Sequence, residues 1–183
     1  MAQKLRKCKN CKEEFEQFNT LQVRCIKCAI ELGKKKTLSD AKKVKTNANK
    51  ELRKAKEAIK TRSDWMREAQ IAYNTWKRES ELLKGEGCIS CGTHNGKMNC
   101  GHYMSVGSNP SLRFDEKNSW LQCERCNSYL SGNLLNYRMA LLRRFGQELL
   151  NYLEGQHEPK HYSIDDLKHI KAEYKQRLKE IKQ

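Results

Sequence analysis

Four cysteines in two CxxC pairs frame a histidine and two asparagines whose side chains could support metal-assisted chemistry. The order is His102, fifteen residues, Asn118, eight residues and Asn127; the framing cysteines are Cys88, Cys91, Cys123 and Cys126. Two CxxC turns can place four thiolates around one tetrahedral zinc ion, which also contributes folding free energy to a segment with few large apolar residues. The spacing therefore predicts a small zinc-stabilised site that supports the histidine and the asparagines.

The three polar side chains suit hydrolysis of a phosphodiester bond. A neutral imidazole can accept a proton from water near neutral pH, so His102 is the predicted general base. Asn127 directly follows Cys126 and can offer its amide oxygen to Mg²⁺ or Mn²⁺, while Asn118 is predicted to hold the hairpin that carries His102. The competing interpretation makes His102 a structural histidine or a substitute zinc ligand.

A second set of four cysteines lies near the N-terminus. Cys8, Cys11, Cys25 and Cys28 predict a zinc ribbon or a related treble-clef fragment. A closed four-cysteine site has no open coordination position, so a structural role is expected, although its lysines can also contact phosphate. Cys100 is the ninth cysteine and is interpreted as a buried or partly buried bystander. Because the start MAQKLRKCKN lacks the apolar core of a secretory signal, we expect a reducing compartment.

The charge balance indicates a polyanionic partner. The chain has 183 residues, with 37 Lys and Arg against 22 Asp and Glu, and a net charge of +15 that is spread along most of its length. Nucleic acid is the commonest partner of such a surface, and a solvated surface that only aids solubility is the alternative. No apolar run approaches the roughly 18 residues of a membrane span, so no membrane partner is expected.

A long helical segment precedes the second cysteine set. Residues 38–83 contain no proline or glycine, which predicts one helix or two in line, with Ser63-Asp64 as the candidate internal cap. Small and apolar residues dominate a coiled-coil stripe that comprises Leu52, Ala55, Ile59, Arg62, Met66, Ala69, Tyr73, Trp76, Ser80 and Leu83. This stripe must pack either on a partner helix in a dimer or on the same chain. The basic half, residues 42–62, can contact phosphate or remain solvated.

Further elements are predicted after this segment. Gly85 and Gly87 end the helix, and a second helix is predicted from Asn133 to Leu153. A polar linker at residues 154–162 leads to a capping box at Ser163-Ile-Asp-Asp166, which opens the last helix.

The order of His102, Asn118 and Asn127 resembles the motif of HNH endonucleases, whose ββα-metal fold is a β-hairpin followed by a helix that holds one metal. The four surrounding cysteines take the places of the zinc-binding pairs seen in many members of that superfamily. This chain departs from the pattern at Gly101, where HNH enzymes commonly carry a metal-binding Asp or His. The candidates for the second metal ligand, besides further water and phosphate oxygens, are Asp115, Glu116 and Cys100.

These features together predict a mainly helical α+β chain. The predicted domains are an N-terminal four-cysteine zinc ribbon at residues 1–36 and a long basic helical arm at 37–84. An HNH-like core with its zinc site and following helix is predicted at 85–155, and a linker with the C-terminal helix at 156–183.

A wider set of motifs resembles the phage NinG (Rap) recombination protein family, from the first cysteine pair to roughly residue 155. The most specific stretch, residues 62–138, includes Arg62-Ser-Asp-Trp65, Arg67-Glu-Ala-Gln70, Cys88-Ile-Ser-Cys91-Gly92, Gly101-His-Tyr103, Ser105-Val-Gly107, Leu112-Arg-Phe114, Gln122-Cys123, Cys126-Asn127, Ser131-Gly-Asn133 and Tyr137-Arg138. The resemblance implies a phage-encoded, divalent-metal-dependent endonuclease that cuts branched double-stranded DNA, including Holliday junctions and D-loops. It also implies action in the cytoplasm of the bacterial host. Because a junction resolvase nicks two strands symmetrically, we expect a homodimer.

Three basic residues flank the predicted centre. Arg113, Lys117 and Arg125 are the candidates for positioning DNA phosphates, and each could equally be an exposed surface charge. The main competing hypothesis is a non-catalytic zinc protein that binds nucleic acid through basic helices. A recombination scaffold that recruits other proteins through the long helix is the third.

Overall fold

The computed structural model describes residues 5–183, so residues 1–4 of the predicted domain at 1–36 lie outside the described part. The chain forms two compact units, Met1–Ile59 and Lys60–Gln183. It is a mainly helical α+β protein with two small antiparallel sheets, which confirms the predicted fold class at that level. None of the described helices is both long enough and apolar enough to cross a membrane.

Within its described residues, 5–59, the N-terminal unit contains one hairpin and one long helix. Strands β1 (Leu5–Lys7) and β2 (Glu14–Glu16) pair antiparallel, with Leu5 opposite Glu16. Helix α1 (Ile26–Ala58) begins at the second cysteine pair, well before the predicted start at residue 38. Every side chain from position 29 to position 59 is exposed. The helix carries 11 Lys and Arg against four acidic residues, so this surface is strongly basic.

A short break separates α1 from α2 (Arg62–Leu83), although the stripe spacing continues across it. The Thr61 hydroxyl accepts from the Asp64 backbone N–H, and the Asp64 carboxylate accepts from the Thr61 backbone N–H. The N-cap residue is therefore Thr61, two residues before the predicted Ser63-Asp64 cap, and the predicted Asp64 completes the capping box. The predicted arm at residues 37–84 is divided between the two units. As predicted, α2 ends before Gly85, whose φ of 72° suits a glycine.

The second hairpin belongs to the C-terminal unit. Strands β3 (Met98–His102) and β4 (Ser119–Cys123) pair antiparallel, so that His102 lies opposite Ser119 and Met98 lies opposite Cys123. Their connection contains two 3₁₀ turns, Pro110–Leu112 and Glu116–Asn118. A π-helical turn, Arg125–Tyr129, follows β4 directly.

Two more helices complete this unit. Helix α3 (Leu134–Glu154) lies within a residue of its predicted bounds, but Gly146 interrupts it with φ 81° and ψ 176°. Helix α4 (Ile164–Glu180) opens with the predicted capping box, in which Ser163 Oγ accepts from the Asp166 N–H and the Asp166 carboxylate accepts from the Ser163 N–H.

The stripe on α2 packs against α4 and the hairpin. Trp65 and Ala69 form a buried cluster with residues near and within α4, and Tyr73 and Trp76 form another with Tyr174. The ring centroids of Trp76 and Tyr174 are 4.9 Å apart. The stripe was predicted to pack either on a partner helix in a dimer or on the same chain. For the α2 part of the stripe, packing on the same chain is observed.

Helix α3 covers the opposite face of the hairpin. Trp120, whose side chain points away from the face that carries His102, stacks on Phe145 with ring centroids 4.4 Å apart. Tyr137 is fully buried and donates its hydroxyl to the Gly101 carbonyl at 2.9 Å. The hairpin is thus held between α2 on one face and α3 on the other.

Candidate functional site

The four N-terminal cysteines converge as predicted. The sulfur atoms of Cys8, Cys11, Cys25 and Cys28 lie within 4.8 Å of one another, and those of Cys11 and Cys25 are 3.8 Å apart. A tetrahedral zinc ion with Zn–S bonds of about 2.3 Å places its sulfur ligands roughly 3.8 Å apart. The set therefore has the dimensions of a four-thiolate zinc site.

Local structure favours a thiolate at Cys8 of this cluster, whereas burial and contacts with the other cysteine side chains raise the pKa values of Cys11 and Cys28. Cys25 is the N-cap of α1 and Cys28 lies in its first turn, where the helix dipole favours negative charge. Burial opposes ionisation of Cys8, but backbone N–H groups of Cys11, Cys25 and Asn10 lower the pKa of its thiol to about 6. The Cys25 and Asn10 N–H groups lie 3.3 and 3.4 Å from Cys8 Sγ.

The second set of four cysteines also converges. The sulfur atoms of Cys88, Cys91, Cys123 and Cys126 lie within 4.8 Å of one another, and the Cys91–Cys123 separation is 3.8 Å. Cys123 ends β4 and Cys126 lies in the turn after it, while the Asn133 side chain donates to Cys126 Sγ at 3.4 Å. Each set can hold one zinc ion with no open position, which suits a structural metal.

Asn118 has the geometry of a hairpin support. It is fully buried, and its Oδ1 accepts from the Met104 N–H at 2.8 Å. Its Nδ2 donates to the carbonyls of Met104 at 2.9 Å and Leu112 at 3.1 Å. Since these bonds satisfy both ends of the amide, Asn118 fixes the connection that follows His102.

His102 lies at the end of β3 and is half-buried. Its Nε2 is 3.2 Å from the carbonyl oxygen of Arg113, and its ring centroid is 6.0 Å from that of Tyr73. Burial lowers the pKa of His102, and the positive charge of Arg113 lowers it further, against the effect of the carbonyl. The imidazole is therefore neutral at neutral pH.

Asn127 lies in the π-helical turn and lines a polar cavity of about 420 Å³. Asn74 and Arg78 of α2, Asn99 of β3 and Glu124 also line it, whereas His102 does not. Hence His102 and Asn118 are brought close together, but Asn127 does not share a cavity with His102. In residues 5–183, the clusters of three or more Cys, His, Asp or Glu ligands are the two four-cysteine sets.

The three candidates for a second metal ligand have other partners. Asp115 accepts from the Lys117 N–H at 2.8 Å and from the Tyr152 hydroxyl at 2.6 Å. Glu116 forms an ion pair with Arg177 at 2.6 Å. Burial raises the pKa of the Cys100 thiol to about 12, which agrees with the bystander interpretation.

The three candidate phosphate contacts differ in their surroundings. The Arg113 guanidinium is half-buried and donates to Gln70 Oε1 at 3.1 Å and to the Val106 carbonyl at 3.0 Å. Lys117 is exposed, with its amine 5.2 Å from the Tyr152 ring centroid. Arg125 is exposed and has no ion-pair partner among residues 5–183, so it is the most accessible of the three.

Several residues that position the hairpin were not predicted as site residues. Tyr73 donates to the Asp115 carbonyl at 2.9 Å and shares a 2.5 Å hydrogen bond with Ser119. A Cβ atom at Gly101 would lie 2.2 Å from Oε1 of the fully buried Gln122. The space that a side chain at position 101 would need is therefore occupied by Gln122. Tyr73 was visible in the sequence only as a member of the stripe.

The fold and the two cysteine clusters define the class: a basic α+β protein with two four-cysteine clusters that have the dimensions of zinc sites. The family model described as Bacteriophage Lambda NinG protein matches residues 1–183. The chain belongs to the phage NinG family.

Curated relatives support this membership along nearly the whole chain. Protein ninG of Escherichia phage lambda is 36% identical over 195 residues, covering 97% of this chain and 93% of that protein. Protein ninG of Escherichia phage 933W is 36% identical over 193 residues, and that of Salmonella phage P22 is 35% identical over 195; each alignment covers 97% of this chain and 94% of the relative. No solved structure matches the chain.

Proposed function

We propose that the protein is a divalent-metal-dependent endonuclease of the HNH type that cuts branched double-stranded DNA in the host cytoplasm. His102 is the general base, and the two cysteine sets hold structural zinc. Membership of the phage NinG family supports a role in recombination, and the net charge of +15 supports a polyanionic substrate.

The contact between His102 and Arg113 is the observation that carries this proposal. A carbonyl oxygen can only accept a hydrogen bond, so the His102 nitrogen beside it, Nε2, must carry the proton. The other ring nitrogen, Nδ1, then has a free lone pair. With the pKa lowered, this lone pair is available at neutral pH to accept a proton from a water molecule.

Asn127 is the proposed protein ligand for Mg²⁺ or Mn²⁺. Its amide oxygen is a suitable donor for a hard cation, and Glu124 in the same cavity is already paired with Lys97 at 2.6 Å. The residues therefore form no complete site by themselves, and the ion would be held largely by water and DNA phosphate oxygens. When bound, it would neutralise charge on the phosphate during cleavage. The proposal requires His102 and Asn127 to reach one phosphate group in the complex with DNA.

A histidine substitution tests the assignment of the base. His102→Ala should lower cleavage of a four-way junction in Mg²⁺ or Mn²⁺ by about 10²- to 10⁴-fold, while binding changes little. His94→Ala is the matched control, because His94 is an exposed histidine of the same unit. Linear, flapped and four-way DNA should be compared with the metal varied. Unchanged cleavage by His102→Ala excludes His102 as the base.

A non-catalytic zinc protein that binds nucleic acid is the second candidate. It is favoured by the closed geometry of both cysteine sets and by the position of His102 outside the cavity that Asn127 lines. Wild-type protein that binds branched DNA without cutting it under any metal condition would establish this alternative. Neither binding nor cutting would favour the scaffold hypothesis.

A homodimer through α1 is the proposed oligomeric state. Leu38, Lys45, Leu52 and Ile59 repeat every seven residues, and Ala41, Ala48 and Ala55 occupy the second seam position between them. All seven side chains are exposed, and Leu52 is 54% exposed. Because the α2 part of the stripe is buried within its own unit, α1 is the part still able to pack on a second copy.

A further inference from the structure

An exposed group of large apolar side chains follows the second cysteine set. This group, the apolar tip, comprises Tyr129, Leu130, Leu134, Leu135 and Met139. Tyr129 is 79% exposed and Leu135 is 76% exposed. Compact exposed apolar patches on otherwise polar surfaces commonly mark interaction sites. The whole chain is 32% charged, whereas the five residues of the apolar tip carry no charge, so the tip contrasts with the rest of the surface.

The backbone of the apolar tip is tied to the second cysteine set. The Gly132 N–H donates to the Cys126 carbonyl at 2.9 Å, and the Asn133 N–H donates to the Leu130 carbonyl at 2.8 Å. The Gln122 side chain donates to the Gly132 carbonyl at 2.5 Å. A tip fixed in this way loses little conformational entropy when a partner binds.

Positive charge lies beside the apolar tip. Arg125, four residues before Tyr129, is exposed and without an ion-pair partner among residues 5–183. The Glu124 carboxylate, 2.6 Å from Lys97 Nζ, raises the pKa of Lys97, and the Tyr129 phenol raises it to a smaller extent. An exposed aromatic ring next to cationic side chains fits a base with its phosphate, because the ring can stack and the cations can contact the backbone.

We propose that the apolar tip binds nucleobases that are unstacked from the DNA duplex, with Tyr129 as the stacking platform and Leu130 and Leu135 as its apolar border. Unstacked bases occur at strand branches and single-stranded ends, and apolar side chains are known to occupy the space between separated base steps. This inference rests on the proposed binding of DNA. It adds a reason why branched DNA would bind better than a continuous duplex.

The test compares full-length wild-type and Tyr129→Ala protein on three DNA molecules of equal length: a four-way junction, a single-stranded flap and a paired duplex. Affinities are measured by fluorescence anisotropy, and 2-aminopurine at the branch reports base unstacking. Tyr129→Ala should bind the junction and flap about 5- to 100-fold more weakly, and the duplex within about twofold of wild type. Tyr129→Phe should retain wild-type affinity because its ring can still stack.

Arg125→Gln is the matched control for electrostatic contact. It should weaken binding to all three DNA molecules by a similar factor. Far-ultraviolet circular dichroism and zinc content should be unchanged in Tyr129→Ala, since this exposed side chain makes no hydrogen bond among residues 5–183.

Four outcomes overturn the base-binding site. Unaltered junction binding by Tyr129→Ala removes Tyr129 from recognition, and an equal loss on duplex and junction makes it a general contact. A change from dimer to monomer in sedimentation of the free variant assigns the apolar tip to a second copy of the chain. Wild-type protein that binds no DNA overturns both this site and the proposed function, whereas wild-type binding with unaltered Tyr129→Ala binding overturns this site alone.

Discussion

The Arg113 carbonyl selects the tautomer of His102. This selection depends on a backbone oxygen eleven residues away in sequence, so no pattern of side-chain types could reveal it. The sequence did identify His102 as the titratable group with a pKa suited to base chemistry. The structure adds the burial that lowers this pKa and the hydrogen bond that leaves Nδ1 unprotonated.

The lowered pKa of His102 predicts the acid limb of the cleavage profile. At pH 6.5, the usual pKa of histidine, the cleavage rate should still exceed half of its maximum. The reason is that the half-buried imidazole of His102 is mostly neutral at that pH. Activity should fall as the pH drops through the lowered pKa. Single-turnover cleavage rates, measured between about pH 5 and 8 at constant ionic strength, give the midpoint of this acid limb. A midpoint at or above the usual value contradicts the assignment.

The same shift predicts a change in stability. As the pH falls below 6.5, the unfolded chain binds a proton at His102 before the folded chain does, so the free energy of unfolding decreases until the lowered pKa is reached. In urea titrations, His102→Gln should therefore show a flatter pH dependence than wild type within that window. Parallel curves would show that His102 does not contribute to this dependence.

Close packing at Gly101 predicts a cost for any side chain there. Gly101→Ala should lower the free energy of unfolding by about 1–3 kcal/mol, because the new methyl group overlaps the buried Gln122 side chain. Gly107→Ala is the matched control, since its nearest contact would be Ser105 Oγ at 4.0 Å, and its effect should stay within about 0.5 kcal/mol. Urea unfolding with zinc present measures both. Equal stabilities of the two variants would contradict the packing argument.

At the level of elements, local signals were predictable and tertiary ones were not. The cysteine spacing gave both clusters, and the short-range pattern at Ser163 gave the α4 capping box. The α2 stripe packs on α4, which lies more than eighty residues further along the chain. The sequence pattern of α2 therefore could not distinguish packing within the chain from packing on a second copy. The α1 and α2 boundary was also hidden, because the stripe spacing runs through the cap at Thr61.

The charge on α1 predicts opposite salt responses for dimerisation through this helix and for binding of the protein to DNA. Dimerisation should strengthen between about 0.05 and 0.5 M salt, because salt screens repulsion between two basic helices. DNA binding should weaken over the same range through loss of counterion release. Sedimentation and anisotropy measure the two equilibria. Leu52→Gln should weaken dimerisation, whereas Arg53→Gln should not, because Arg53 lies outside the seven-residue repeat. Wild-type protein that is monomeric at high salt contradicts the proposed dimer.

At the level of the whole molecule, the two units differ in charge. Residues 1–59 carry 17 Lys and Arg against seven acidic residues, whereas residues 60–183 carry 20 against 15. The described hairpin with His102 lies in the less basic unit. The proposed electrostatic attraction of DNA and the proposed chemistry therefore reside mainly in different parts of the chain.

The two cysteine sets predict two zinc ions per chain. Purified protein should contain about two zinc ions, and Cys126→Ser should contain about one, because a tetrahedral site rarely survives loss of a buried thiolate. In that variant, limited proteolysis should degrade residues 60–183 first, while the N-terminal unit keeps its metal. Elemental analysis and mass spectrometry of the fragments measure both effects. Wild type with one zinc or none contradicts the prediction.

The first cysteine set lies entirely before the second along the chain, so translation produces the two sets in order. Cys28 leaves the ribosome long before Cys88 is synthesised, so the first four thiols can capture an ion while no competing ones exist. Domains generally fold from the N-terminus as the chain emerges. This order of synthesis therefore favours correct grouping of the eight cysteines into the two proposed zinc sites.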